Sequence, residues 1–258
     1  MCIIIHKPKN AKLPTKTTLK NCFNNNDDGA GFMFQCGDKV KIIKGLMDFE
    51  TFYKKIHKYK LDKKEVVFHF RISTSGGINK GATHPFPLTK NIKEMKNLNA
   101  LVDVGIAHNG IISLCEPTKS ENKSGINDTM LFIAEYLTLM INKDVKPSDP
   151  TITLIDRLTH SKLCILYPTG DAIRTNAKQW YEYNGCYYSN TSYEYNYCYY
   201  DRYFYGTKTT ETKKEVVTPV EDNLMLPDDC PLLYSDDYSK CRKCTYYKYC
   251  YGVEPNKN

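Results

Sequence analysis

The chain has 258 residues, 41% of them hydrophobic and 25% charged, with a formal charge of +7. That length gives one or two domains with a core large enough to need no metal or disulfide. The composition excludes a fibrous or wholly disordered chain, and no run of roughly 18 apolar residues would span a membrane. The start, MCIIIHKPKN, lacks a signal peptide's basic flank and long apolar core, so a cytoplasmic location is the default expectation. The Lys-over-Arg and Asn bias is compatible with an AT-rich genome, including a virus acting in a host cytoplasm. Only Arg71, Arg157, Arg174, Arg202 and Arg242 are arginines among 36 basic residues. Nucleic-acid recognition favours Arg forks, so the scattered lysines read as a solvated surface. The 11 cysteines are odd in number and unevenly placed, which argues against a disulfide framework.

Cys2–Ile5 reads as a short apolar strand, and Thr17–Phe23 as a short helix. Asn24 to Gly29 is a turn or loop. Gly31–Gln35 and Lys39–Lys44 make a hairpin around Cys36-Gly37-Asp38. Asp48 caps a helix over Phe49–Tyr59, where Phe49, Phe52, Tyr53, Ile56 and Tyr59 recur at helical spacing. Val66–Arg71 is a β-branched and aromatic strand. Leu101–Ala107 and Ile111–Cys115 read as two more, joined by His108-Asn109-Gly110 through an Asn-Gly turn. Asp128–Ile141 is a long helix that Asp128 caps. Pro150 sits in the first turn of another, running to about His160. Ser161–Tyr167 and Ala172–Thr175 form a hairpin around Pro168 to Asp171. Strands outnumber helices, which fits an α+β or layered α/β domain.

After Trp180 the composition shifts. Tyr181 to Tyr205 is rich in tyrosine, read as cross-strand packing or a wet aromatic surface rather than a base-stacking platform. Residues 206–258 read as a linker and a cysteine-rich tail. There Cys230, Cys241, Cys244 and Cys250 fall within 21 residues. The Cys-x2-Cys step fits a metal knuckle, so the four thiolates are a candidate ligand set for structural zinc or an iron–sulfur cluster. Chance thiols are the bland alternative.

Cys2 carries the first chemical suggestion. Removal of Met1 would free its α-amine, whose pKa lies near 7.7–8.0, close to the thiol's 8.5. That amine can take the thiol proton and later protonate a leaving amine, so one residue supplies nucleophile and base. Alone, a Cys at position 2 is weak evidence. Further segments follow in order: Asp28-Gly29-Ala30-Gly31, Phe70-Arg71-Ile72-Ser73-Thr74-Ser75-Gly76, His84-Pro85-Phe86, Ala107-His108-Asn109-Gly110 and Asn127-Asp128-Thr129. With Met1-Cys2-Ile3, this series resembles the class II glutamine amidotransferase domain, an N-terminal nucleophile hydrolase. The resemblance covers roughly residues 2–180.

The resemblance implies a four-layer αββα sandwich over residues 1–205 and hydrolysis of L-glutamine to glutamate and ammonia, with no cofactor. It implies that Cys2 attacks the side-chain carbonyl, while Asn109 and the Gly110 N–H stabilise the oxyanion. Arg71 would clamp the α-carboxylate and Asp128 the α-ammonium, which would reject a plain amide. Thr74 and Gly76 would shape the same loop, and His84 would stand beside the glutamine pocket. His108 would be a positional neighbour rather than a base.

The chain departs from relatives that fuse such a glutaminase to a large synthase or transferase. The 78 residues after Trp180 carry no GxGxxG, P-loop or adenylation signature. The ammonia acceptor is therefore expected on a partner protein, or absent. Two other readings stay open: an N-terminal nucleophile enzyme acting on another amide or γ-glutamyl compound, and a non-catalytic, metal-stabilised interaction protein.

Overall fold

Residues 2–194 are described by a computed structural model of the chain. The first strand, β1 (Ile3–Lys7), is buried along its whole length. Ile3 and Ile5 face one core and Ile4 another, as the two-residue alternation of a strand requires. Helix α1 (Lys16–Asn24) follows, capped by the Thr15 hydroxyl. Strands β2 (Ala30–Cys36) and β3 (Lys39–Leu46) form the expected hairpin. Helix α2 (Phe49–Tyr59) begins where Asp48 accepts the Thr51 N–H at 2.8 Å, as read from the sequence. Strand β4 (Val66–Phe70) then runs between β1 and β2.

The middle of the chain departs from the sequence reading. Short elements β5 (Phe86–Pro87) and α3 (Ile92–Met95) precede β6 (Asn99–Val102) and β7 (Gly105–Asn109). The apolar run read as one strand over Leu101–Ala107 is thus two strands, and they belong to different sheets. The expected strand at Ile111–Cys115 ends instead in a 3-10 turn, Ser113–Cys115. His108 and Asn109 are strand residues paired with Leu163 and Lys162, not a hairpin turn.

Helix α4 (Lys119–Lys123) carries a Thr118–Glu121 capping box. The long helix appears as α5 (Asp128–Phe132), a π turn (Ile133–Leu137) and α6 (Thr138–Met140). Its cap is Asn127, whose Oδ1 accepts the Met130 N–H at 3.0 Å, rather than Asp128. Helix α7 (Asp149–Thr159) has Pro150 in its first turn. Strands β8 (Lys162–Leu166) and β9 (Ala172–Arg174) form the expected hairpin, followed by β10 (Tyr181–Tyr183) and β11 (Cys186–Tyr188).

Two antiparallel sheets result. The first has seven strands in the order β10-β11-β1-β4-β2-β3-β6, and the second four in the order β5-β7-β8-β9. Three clusters of buried side chains hold them. Phe32, Phe68 and Phe70 pack with Leu19, Phe49 and Phe52 of α1 and α2. Ile4, Met33 and Val67 of the first sheet pack with Ala107, Cys164 and Leu166 of the second. Ile106, Leu163 and Ile165 pack with Met130, Phe132 and Ile155 of α5 and α7. The inner strands β1, β4 and β8 therefore bury both faces and read as apolar runs rather than clean alternations, whereas β6, β9 and β10 stay partly exposed. The architecture is an α+β sandwich. No helix among the described residues is long and apolar enough to cross a membrane.

Candidate active site

The register of the first sheet sets the site. Ile3 pairs with Phe70, so the next step outward brings Cys2 alongside Arg71 and Ile72. Cys2 Sγ lies 3.3 Å from both Ile72 O and Ile72 N. On the other side of β4, Asp28 N donates to Arg71 O at 3.0 Å and Arg71 N donates to Gly29 O at 2.9 Å. The ends of β1 and β4 and the approach to β2 thus meet at one edge. His108 of the second sheet and the flanking loops complete a small pocket of about 20 Å³, lined by Cys2, Arg71, Thr74, His84, Gly110 and Asp128 among others.

Arg71 is buried and held by its own loop. Nη1 donates to Gly77 O at 2.7 Å, and Nη2 donates to Ser75 O at 2.6 Å and Ser73 Oγ at 3.0 Å. A guanidinium has five N–H groups, and these bonds use three, leaving Nε and one on Nη1, on different edges of the group. The loop is fixed in turn by Asp28, whose Oδ2 accepts the Ser73 N–H at 2.7 Å. Gly76 is part of this loop but does not line the pocket. Its φ is +73°, and its N–H donates to Asn122 Oδ1 at 3.1 Å. Asp128 enters from the start of α5. Its Oδ2 accepts the Ile112 N–H at 2.7 Å, and its Oδ1 accepts the Ser75 hydroxyl at 3.3 Å.

Three histidines are buried together, and two of them, His84 and His108, line the pocket. The His69 and His84 rings stack at 4.3 Å. His69 Nε2 lies 2.9 Å from His108 O, and neither ring nitrogen of His84 has a protein partner among the described residues. His108 is pinned at both nitrogens, by Thr129 Oγ1 at 2.8 Å and Ser161 Oγ at 2.7 Å. Burial pushes His69 down to about 3, His108 to about 4 and His84 well below the ordinary imidazole value. All three are neutral at pH 7, and a doubly engaged His108 has no free nitrogen for a base. Burial raises the Cys2 thiol, opposed by the Ile72 hydrogen bond and by the Arg71 charge.

Gly110 lines the pocket with φ +147°, and a Cβ there would lie 2.3 Å from the Ser161 Cβ. Only glycine turns the chain at this place, which leaves the backbone of the strand end exposed to the pocket. Asn109 is one residue further in and buried. Its side chain reaches Ser189, 80 positions away, where Nδ2 donates to Oγ at 2.9 Å. Asn190 Nδ2 donates to Cys2 O at 2.7 Å.

The structure thus gathers Cys2, Arg71, Thr74, His84, Gly110 and Asp128 at one pocket, while Asn109 and Gly76, each next in sequence to a lining residue, do not line it. Sequence reasoning passed over Asp28 as a loop anchor, Ser161 and Thr129 as the partners of His108, and the Ser189-Asn190 pair. Cys230, Cys241, Cys244 and Cys250 lie outside the described residues. Among the described residues no group of three or more His, Cys, Asp or Glu side chains is set to hold a metal. Neither a family model nor a curated protein matches the sequence.

Proposed function

We propose that this protein is a glutaminase of the class II glutamine amidotransferase type, with the αββα N-terminal nucleophile fold. The observation that carries the reading is the meeting of Cys2, Arg71 and Asp128 in one small pocket. A thiol flanked by a cation and a carboxylate suits an amide substrate with a zwitterionic amino-acid head. An unused N–H of Arg71 and its charge would hold the α-carboxylate, and Asp128 the α-ammonium.

With Met1 removed, the Cys2 α-amine takes the thiol proton. Sulfur attacks the side-chain carbonyl carbon of glutamine, and the carbonyl π pair moves onto oxygen. The Gly110 N–H and the Asn109 amide bear that charge. The C–N bond breaks as the ammonium of Cys2 returns a proton, and ammonia leaves. Water, deprotonated by the same amine, attacks the thioester and releases glutamate. Ammonia would pass to an acceptor bound by a partner protein, and the cysteine-rich tail would hold a structural metal.

Intact mass shows whether Met1 has been removed, and glutamate release from glutamine is then measured for wild type and Cys2→Ser. Wild-type release that the serine variant loses, in a protein lacking Met1, supports the reading. Full release by Cys2→Ser, or turnover of γ-glutamyl compounds but not of glutamine, sinks it.

A further inference from the structure

The side-chain amide of Asn109 is half satisfied. Nδ2 donates to Ser189 Oγ, while Oδ1 is buried with no protein partner among the described residues. The same Ser189 oxygen accepts the Ile4 N–H at 2.8 Å. Ser189 N donates to Ile4 O at 3.0 Å. Ser189 Oγ thus accepts twice, and its own proton is not needed for either bond. A hydroxyl carries one donor and two lone pairs, and a carboxamide has a donor end and an acceptor end.

A half-turn of the amide about Cβ–Cγ exchanges those ends. Ser189 would then donate its proton to Oδ1 and keep the bond from Ile4. The orphaned acceptor becomes paired, and Nδ2 takes its place as the end without a protein partner. A buried donor left that way is costly unless an oxygen from elsewhere meets it. The turned orientation therefore suits a site in which negative charge grows on a substrate oxygen.

The post on which this turns is fixed to both sheets. Ser189 is tied to β1 through Ile4, and Lys162 of β8 donates from Nζ to Ser189 O at 2.6 Å. Lys162 is itself the cross-strand partner of Asn109. One hydroxyl is thereby held between the strand of the nucleophile and the strand of the oxyanion amide.

We propose that Ser189 is a positioning residue for glutamine hydrolysis, holding Asn109 as acceptor in one orientation and as donor in the other, so that Nδ2 is presented to the oxyanion. The proposal rests on the glutaminase reading.

The test is steady-state glutamate release by wild type, Ser189→Ala, Asn109→Ala, the double variant and Ser189→Thr. Asn109→Ala should lower kcat by about 100- to 1000-fold, as for loss of one oxyanion donor. Ser189→Ala should lower kcat by roughly tenfold or more, with KM within about twofold. The double variant should be within about threefold of Asn109→Ala, because Ser189 acts through Asn109. Ser189→Thr keeps the hydroxyl and should recover most of the loss, an arm that does not need the alanine variant to fold. Multiplicative losses in the double variant, or a threonine variant as slow as the alanine one, overturn the positioning role alone. A wild type that releases no glutamate overturns the glutaminase reading, and this role with it.

Discussion

Arg71 and Asp128 are joined through a single residue, Ser75, whose carbonyl accepts from Arg71 Nη2 at 2.6 Å and whose hydroxyl donates to Asp128 Oδ1 at 3.3 Å. The cation and the carboxylate are thus held at a set spacing without pairing to each other. That arrangement leaves each able to take the opposite end of a zwitterion.

Substrate selection follows from this spacing. Each ligand pair would be largely desolvated, and losing one partner of such a pair costs about 2–5 kcal/mol. Arg71→Ala and Asp128→Ala should each lower kcat/KM for glutamine at least roughly tenfold, since about 1.4 kcal/mol is a factor of ten. Wild type should strongly prefer glutamine over an analogue lacking the α-carboxylate, and Arg71→Ala should narrow that preference. Equal handling of the two amides by both proteins would show that the clamp does not exist.

The same guanidinium acts on the thiol. Its charge opposes the upward push of burial on Cys2, so its removal raises the thiol pKa further. Less thiolate is then present at any fixed pH below that value. Arg71→Gln should slow alkylation of Cys2 by iodoacetamide, by about tenfold for each unit of upward shift, and move the pH profile to higher pH. Arg71→Lys keeps the charge and loses the fork. It should therefore retain most of the Cys2 reactivity while still weakening glutamine binding. Peptide mapping separates Cys2 from the exposed Cys36. Unchanged alkylation in the glutamine variant would remove Arg71 from the account of the thiol.

Acid should destabilise the protein through its buried histidines. His69 and His108 titrate near 3 and 4 when folded, and near 6.5 when unfolded. Between these values the unfolded chain binds more protons, so stability rises with pH across that window. It is fully present above about pH 6.5 and declines as pH falls toward 4. Each such histidine contributes a slope of about 1.4 kcal/mol per pH unit. Urea unfolding from pH 7 to 5 reads the slope, and His69→Gln should reduce it by one proton's share. A flat profile in wild type would mean that these rings are not buried as neutral groups.

Local signals in the sequence translate well into structure. Cys36-Gly37-Asp38 marks the β2–β3 turn, Asp48 caps α2, and Pro168 to Asp171 turns β8 into β9. Of the residues singled out by the ordered series of short segments, Cys2, Arg71, Thr74, His84, Gly110 and Asp128 line one pocket, whereas Asn109 and Gly76 do not. What failed was information held elsewhere in the fold. The apolar run over Leu101–Ala107 does not say that its two halves enter different sheets. Asn127 and Asp128 can both cap a helix. Asn127 takes the role, while the Asp128 carboxylate accepts from Ile112 and Ser75 instead. Ser189 is one polar residue in a tyrosine-rich stretch. Its partner Ile4 is 185 positions away, and no local pattern announces such a contact.

Two glycines separate the demands of space from those of backbone. At Gly31 a Cβ would lie 2.2 Å from His84 O and 2.9 Å from Ile43 O, both backbone atoms that cannot swing aside. At Gly37 nothing lies within 4 Å, but φ is +65°. Gly37→Ala should therefore cost about 1–2 kcal/mol, the penalty of a left-handed backbone for an L-residue. It should leave activity intact, because the β2–β3 turn does not line the pocket. Gly31→Ala should cost about 1–3 kcal/mol or more from overpacking. The clash falls on the segment that carries His84, so this variant should also alter turnover at Cys2. Urea unfolding and glutamate release for the two variants make the comparison. Comparable stability losses with unchanged turnover in both would show that β2 and the His84 segment do not pack as tightly as this register requires.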